Sequence, residues 1–155
     1  MVAIPRVTLN ADLDEGFCFG CGRNNPIGLK LKFTRDGDTI RTEFTPDRTH
    51  QGWPGILHGG ILGALLDEAM SNAAYATGST CLTASINIRI RQPIKVEVPL
   101  VITARVTRHG KRLIETEGQV CFKDGTVAAE STAKQFVAAN AAGKRDRVRE
   151  SRRHV

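Results

Sequence analysis

A single stretch of the chain, from Gly60 to about Thr77, has the apolar spacing of a long α-helix. Its apolar residues recur three and four positions apart and would form one wide stripe, made of Ile61, Leu62, Leu65, Leu66, Ala69, Met70 and Ala73. Gly78 stands where a helix stop is expected. A helix with so wide an apolar face is not stable alone in water, so the rest of the chain has to cover it.

The rest of the chain is predicted to form strands. Two short runs precede the helix and four longer runs follow it: Leu29–Phe33, Ile40–Phe44, Leu82–Arg91, Leu100–Thr107, Leu113–Phe122 and Val127–Val137. Turn residues at 108–111 and 123–125 join the last three runs as hairpins, which predicts antiparallel pairing. The sequence therefore predicts an α+β fold in which a curved six-stranded antiparallel sheet wraps around one central helix.

Length and charge limit the classes of protein that this chain can be. Its 155 residues suffice for one domain, predicted at 1–138 with a loop-like N-terminal segment at 1–27 and a basic, flexible tail at 139–155. The tail holds six basic and two acidic residues, which is +4 of the net charge of +6 and is typical of a solvated tail. No apolar run has the length of a membrane span, and the first residues do not resemble an export signal. We therefore expect a cytoplasmic protein that binds neither nucleic acid nor membranes.

Four cysteines, Cys18, Cys21, Cys81 and Cys121, are expected to be mostly thiols in such a protein. Only Cys18 and Cys21 have the spacing of metal ligands, and a structural zinc site would need a second pair nearby. Glycines at positions 20 and 22 predict a tight, packed loop there instead. We expect no metal and no cofactor, and metal or redox chemistry at this pair is the alternative.

The residues that indicate chemistry lie where the helix begins. His58-Gly59-Gly60 leads into the helix, and glycines allow close approach to backbone N–H groups that are unpaired and lie at the positive end of the helix dipole. Such groups suit a developing oxyanion. A bare Gly-Gly pair is more often a plain loop-to-helix turn. The position of Asp67 indicates a functional site. Seven residues of helix after Gly60 return it to nearly the same face as that glycine, among small residues.

Asp67 and the glycine amides cannot act on one carbonyl within a single chain. Seven residues of helix separate Asp67 from the Gly60 amide by roughly 10 Å along the axis. A reacting group has to lie within about 3 Å of each of them. If both act on one substrate they come from different chains, and a two-fold dimer would create two identical sites. The sequence therefore predicts a homo-oligomer.

Together these residues resemble a known family. His58-Gly59-Gly60 followed by Asp67, the helix, and Thr83–Pro93 leading into three further strands resemble hotdog-fold thioesterases of the PaaI-like group over roughly residues 16–137. The opening from Cys18 to Gly22 is similar to a variant found in that group. The resemblance implies the hotdog fold, an acyl-CoA substrate, and chains paired into homodimers and often into homotetramers.

The resemblance also implies roles for single residues. Gly60 or Gly59 would polarise the thioester carbonyl, and His58 would orient the loop or contact the substrate. Asp67 of the partner chain would act as general base on water or as nucleophile. Thr83 falls where related enzymes place a hydroxyl that positions water or the carboxylate.

Gln51 departs from the family pattern, and Glu68 is a second carboxylate next to Asp67. Many relatives have an Asn a few residues before the His, where this chain has Gln51, which could provide the amide instead. Glu68 points about 100° away from Asp67 around the helix and is expected to be structural.

Three functions remain open at this point. Hydrolysis of an acyl-CoA thioester is the leading one. A hydratase or dehydratase acting on an acyl thioester could use His58 and Asp67, but the glycines after His58 suit a hydrolase better. A non-catalytic acyl-CoA sensor is the third, and a regulator would normally bring a DNA-binding segment, of which the sequence has no sign.

Overall fold

The computed structural model describes Arg6, Thr8–Leu9 and residues 15–140, and one long helix lies at its centre. This helix, α1, spans Gly59–Tyr75 and begins after the capping residue His58, so the helix predicted over 60–77 is confirmed. Its buried residues are Leu62, Leu65, Leu66, Ala69, Met70, Ala73 and Ala74. They match the predicted stripe, except that Ile61 is only partly buried and Ala74 is buried in addition. In the described part of the chain, no helix has the length and hydropathy that crossing a membrane requires.

An antiparallel sheet covers this helix. The strands of the described residues are β1 (Thr8–Leu9), β2 (Thr34–Asp36), β3 (Thr39–Phe44), β4 (Cys81–Ile90), β5 (Leu100–His109), β6 (Leu113–Phe122), β7 (Val127–Val137) and β8 (Ala139–Asn140). Six of them form one sheet in the order β2-β3-β5-β6-β7-β4, and every neighbouring pair is antiparallel. The predicted hairpin turns join β5 to β6 and β6 to β7. The α+β hotdog arrangement is confirmed.

Helix and sheet meet closely at the middle of the sheet, because small residues of β6 and β7 leave room for α1. A Cβ placed on Gly118 of β6 would lie 3.2 Å from the Met70 side chain and 3.4 Å from that of Leu66. Ala129 and Ala133 of β7 are buried in the same core. This close contact sets the depth at which the helix lies in the sheet.

The strand predicted at Leu29–Phe33 is wrong, although its side chains alternate as expected, with Leu29 and Leu31 buried. Lys30 has a φ of 53°, a left-handed conformation that interrupts a regular ladder. The segment bonds instead to the N-terminal loop, through Leu29 N–H to the Phe19 carbonyl (2.8 Å) and Leu31 N–H to the Gly20 carbonyl (2.9 Å). The first strand of the large sheet therefore begins later, with β2.

The first and last strands along the chain, β1 and β8, lie in the segments predicted as N-terminal loop and C-terminal tail. β1 and β8 pair in parallel, with Thr8 opposite Ala139 and Leu9 opposite Asn140. The rest of the predicted tail, residues 141–155, lies outside the described residues. The domain boundary at residue 138 stays a prediction.

Strand β4 is an edge of the large sheet, and its isoleucines extend beyond the helix. Ile86, Ile88 and Ile90 stand opposite buried residues of β7, so they share the inward face of the sheet. Ile88 reaches the helix at Gly63, where a Cβ would lie 3.3 Å from its Cδ1. Ile86 and Ile90, by contrast, are 39% and 52% exposed. An apolar strip therefore lies uncovered beside the open edge of the sheet.

Candidate active site

A compact loop between β3 and α1 presents the first turn of the helix. It contains a short 3-10 turn at Arg48–His50, closed by a capping box with Asp47. Backbone hydrogen bonds anchor its end, from Leu57 N–H to the Ile94 carbonyl (2.8 Å) and from His58 N–H to the His50 carbonyl (2.9 Å). The position of His58 is therefore determined by bonds on both sides of the loop.

His58 caps the helix and leaves one glycine amide open. The Gly60 N–H donates to His58 Nδ1 at 2.8 Å, so a neutral His58 carries its ring proton on Nε2. Among the described residues the Gly59 N–H has no hydrogen-bond partner, and a Cβ on Gly59 would meet nothing within 4 Å. Of the two amides named from the sequence, Gly59 is the one that faces open space.

Asp67 and Thr83 are brought together by the packing of α1 on β4. Asp67 is half-buried, and Thr83 Oγ1 donates to its Oδ1 at 2.7 Å. A β-bulge between Thr83 and Ser85 follows directly, which is typical of strands that re-aim a side chain at a functional site. Within the described residues Asp67 has no other hydrogen bond, so Oδ2 is available to water or a substrate.

Gln135 of β7 is a polar residue beside this pair that the sequence did not indicate. It stands opposite Thr83 in the sheet and is fully buried. Neither its Oε1 nor its Nε2 has a hydrogen-bond partner in the described part of the chain. Buried amides are normally satisfied, so Gln135 is an unusual neighbour for Thr83. Only the register of β4 against β7 reveals this neighbour.

The structure does not bring Asp67 near Gly59 within one chain. Both lie on α1, eight residues apart, which is roughly 12 Å along a helix axis. The Gln51 Oε1 accepts a hydrogen bond from Gly55 N–H at 3.0 Å and holds the loop, and its role in substrate binding stays a prediction. The predicted residues therefore form two groups, one at Gly59 and His58 and the other at Asp67 and Thr83.

A second cluster involves Glu68 and the two cysteines of the N-terminal loop. Cys18 Sγ lies 3.6 Å from Glu68 Oε1 and 3.5 Å from Oε2. Burial and the Glu68 carboxylate raise the pKa of the Cys21 thiol well above its usual value. The sequence predicted a structural role for Glu68 but not this contact, because loop and helix are distant in the chain.

Comparison with known proteins identifies a matching family and two relatives. The family model described as "Thioesterase superfamily" matches residues 54–129, from the end of the loop before α1 into β7. The bovine acyl-coenzyme A thioesterase THEM4 is 25% identical over 83% of this chain and 54% of its own length. The mouse acyl-coenzyme A thioesterase THEM5 is 34% identical over 64% of this chain and 37% of its own length. The chain thus spans about half the first relative and about a third of the second.

A solved structure supports the same assignment at the level of the fold. A hypothetical thioesterase from Streptococcus pneumoniae, solved with coenzyme A, superimposes with a TM-score of 0.67 over 70% of this chain and 86% of its own, at 17% identity. That identity is too low to carry more than the fold. Motif, topology and family match agree: the chain has the hotdog fold and is similar to the thioesterase superfamily over residues 54–129.

Proposed function

We propose that the protein hydrolyses acyl-CoA thioesters to coenzyme A and a free acid, at a site shared by two copies of the chain. Both relatives described above are named acyl-coenzyme A thioesterases, and the similar structure from Streptococcus pneumoniae holds coenzyme A. The proposal rests on the positions of two chemical groups. Asp67 is half-buried and oriented by Thr83, and the Gly59 amide is open at the positive end of the same helix.

These groups divide the chemistry of thioester hydrolysis between them. The Gly59 N–H of one chain donates to the carbonyl oxygen and stabilises the negative charge that develops there. Asp67 of the other chain takes a proton from an attacking water, or attacks the carbonyl carbon itself. On the first route the C–S bond breaks, the coenzyme A thiolate leaves and takes the proton that Asp67 accepted, and the acid is released. On the second route the same bond breaks as a mixed anhydride forms with Asp67, and a water then hydrolyses the anhydride, which protonates the thiolate, releases the acid and restores the carboxylate. His58 keeps the Gly59 amide open by bonding its neighbour Gly60.

The edge strand β4 supports the pairing of two chains. Its open edge and its exposed Ile86 and Ile90 are features that soluble proteins normally cover. Antiparallel pairing of β4 with its copy across a two-fold axis would cover both and bring the helix start of one chain towards Asp67 of the other. The assembly is then a homodimer, or a homotetramer made of two such dimers.

Release of thiol from a panel of short, medium, long and aromatic acyl-CoAs tests the proposal. We expect Asp67→Asn to lower kcat by at least about 100-fold with the oligomer and the unfolding midpoint retained. Ser71→Ala, one turn further along the same helix, is the matched control and keeps its turnover. Binding of acyl-CoA without thiol release would replace the proposal by the sensor function. Conversion of an enoyl-CoA to a hydroxyacyl-CoA without thiol release would replace it by the hydratase function.

Two further expectations stay predictions. The proposed chemistry uses only side chains, backbone amides and water, in line with the expectation that no cofactor takes part. A cytoplasmic location is supported by the four cysteines, all of which are free thiols.

A further inference from the structure

The N-terminal loop places Cys18 and Cys21 side by side in a tight turn. The Gly22 N–H donates to the Cys18 carbonyl at 2.9 Å, which closes the turn. A Cβ on Gly22 would lie 2.5 Å from both the backbone N and the backbone O of Cys18, so only glycine fits there. The loop is also tied to the following segment by the bonds to Leu29 and Leu31 described above. The two thiols are therefore held in place before any ligand arrives.

Glu68 of α1 completes a set of three potential ligands. One ligand atom each from Cys18, Cys21 and Glu68 can be chosen so that all lie within 4.8 Å of one another. Bond lengths of about 2.3 Å for Zn–S and about 2.1 Å for Zn–O, at tetrahedral angles, imply a separation of about 3.6 Å between a sulfur and an oxygen that share one zinc ion. The Glu68 oxygens lie 3.5 and 3.6 Å from Cys18 Sγ. These distances fit a shared metal ion, and they are also those of hydrogen bonds from the Cys18 thiol to the carboxylate.

The Glu68 carboxylate is half-buried but has no ion-pair partner in the described residues. Gly20 leaves room for it, since a Cβ there would lie 2.4 Å from Glu68 Cδ. Its oxygens accept hydrogen bonds from the Cys18 thiol and, at 3.4 Å, from Asn72 Nδ2. These donors are neutral, so a bound cation would balance the charge of the half-buried carboxylate. Thiolate sulfur with a carboxylate oxygen suits a borderline-soft divalent ion rather than magnesium or calcium.

We propose that Cys18, Cys21 and Glu68 bind one divalent ion of the zinc type, with a water in the fourth position. Binding releases the protons of the two thiols, so the site holds the metal with three anionic ligands. The ion would join the N-terminal loop to α1 and act as a structural clamp. The proposal does not depend on the proposed hydrolase function, because Glu68 points away from Asp67 around the helix.

Cobalt substitution of the reduced, tag-free full chain tests this site directly. We expect one equivalent of Co²⁺ to produce a thiolate-to-cobalt charge-transfer band in the near ultraviolet and tetrahedral ligand-field bands in the visible. Zinc should displace the cobalt, bind one ion per chain, and raise Tm. The proposal is overturned if the reduced wild-type chain shows no charge-transfer band. It is also overturned if the two cysteines only form a disulfide with each other and the reduced protein binds no metal.

Variants locate the ligands. The double variant C18S/C21S should lose the band and the zinc-induced rise in Tm, and Glu68→Gln, which keeps the shape of the side chain, should weaken zinc binding by at least about 100-fold. Cys121→Ser is the matched control, because Cys121 lies on β6 outside the cluster, and it should bind zinc like the wild type. A band that persists in C18S/C21S, or that disappears in Cys121→Ser, would assign the metal to other residues.

Discussion

At the scale of single residues, the cap formed by His58 decides which amide the helix start can offer. The His58 ring occupies the Gly60 N–H, and the Gly59 N–H is left open. His58 itself has φ −63° and ψ 133°, a conformation that a residue before proline adopts without strain. Proline at the first helical position is also favoured. Gly59→Pro therefore removes one N–H group while the backbone can keep its path.

We expect Gly59→Pro to lower kcat by about 100- to 1,000-fold, the usual cost of losing one oxyanion donor. Gly59→Ala is the matched control, because a Cβ at this position meets nothing within 4 Å, and it should retain most of its turnover. Steady-state assays measure kcat for both variants, and circular dichroism checks that the helix content is unchanged. Equal loss in the two variants would mean that the amide is not the donor.

A second prediction at this scale concerns the Thr83 hydroxyl. Because Thr83 Oγ1 donates to Asp67 Oδ1 at 2.7 Å, Thr83→Ala should leave the carboxylate without its orienting bond. A hydrogen bond to a charged group corresponds to about a 10- to 100-fold effect, which we expect in kcat. Thr83→Ser keeps the hydroxyl and should restore most of the rate. If serine restores nothing, the hydroxyl is not what matters at position 83.

At the scale of secondary-structure elements, the distance between α1 and β6 depends on Gly118. The Met70 and Leu66 side chains lie over it, and the Thr103 carbonyl of β5 lies 3.3 Å from where its Cβ would be. Helix α1 and strand β6 are therefore closest at Gly118, where the strand has no side chain.

We expect Gly118→Val to lower the free energy of unfolding by about 1–3 kcal/mol, since overpacking forces helix and sheet apart. Gln119→Val is the control, because Gln119 is the next residue of β6 and its side chain is exposed on the other face. Urea denaturation of both variants measures the difference. A Gly118→Val variant as stable as the Gln119→Val variant would show that the contact is looser than it is in the structure.

At the scale of the whole molecule, the two halves of the site should complement each other between chains. In the proposed homodimer, Asp67→Asn and Gly59→Pro would each inactivate both sites. A mixed dimer has one site with both defects and one with neither, so random exchange of subunits should restore about one quarter of wild-type activity. Denaturing the two variants together and refolding them as a mixture tests this. No recovery, with mixed dimers demonstrated by mass spectrometry, would mean that each site is built from one chain.

Alkaline pH should also act on the molecule as a whole. Burial raises the pKa of the Cys81 and Cys121 thiols and of Tyr75. A group whose pKa is higher in the folded state stabilises the fold fully below its unfolded pKa, and this contribution is lost as the pH rises through the folded value. We expect the urea midpoint to fall as the pH increases above about 8.5. The variant C81A/C121A should show a shallower fall, and an unchanged slope would contradict the assignment.

The sequence by itself determined the main elements, and it predicted one feature of the assembly. Apolar spacing predicted α1, and turn residues predicted the hairpins of β5, β6 and β7, because both signals are local. The length of a helix is a matter of residue count alone. For that reason the sequence could also predict that Asp67 and the glycine amides need two chains to act on one substrate.

Only the tertiary structure decided which residues meet. Thr83 bonds Asp67 from sixteen residues away, and Glu68 contacts Cys18 from fifty residues away. The choice of Gly59 over Gly60 depends on where a loop holds His58. Periodicity shows which side chains share one face of an element. Contacts between elements depend instead on strand order and register, which arise from long-range packing that no local pattern records.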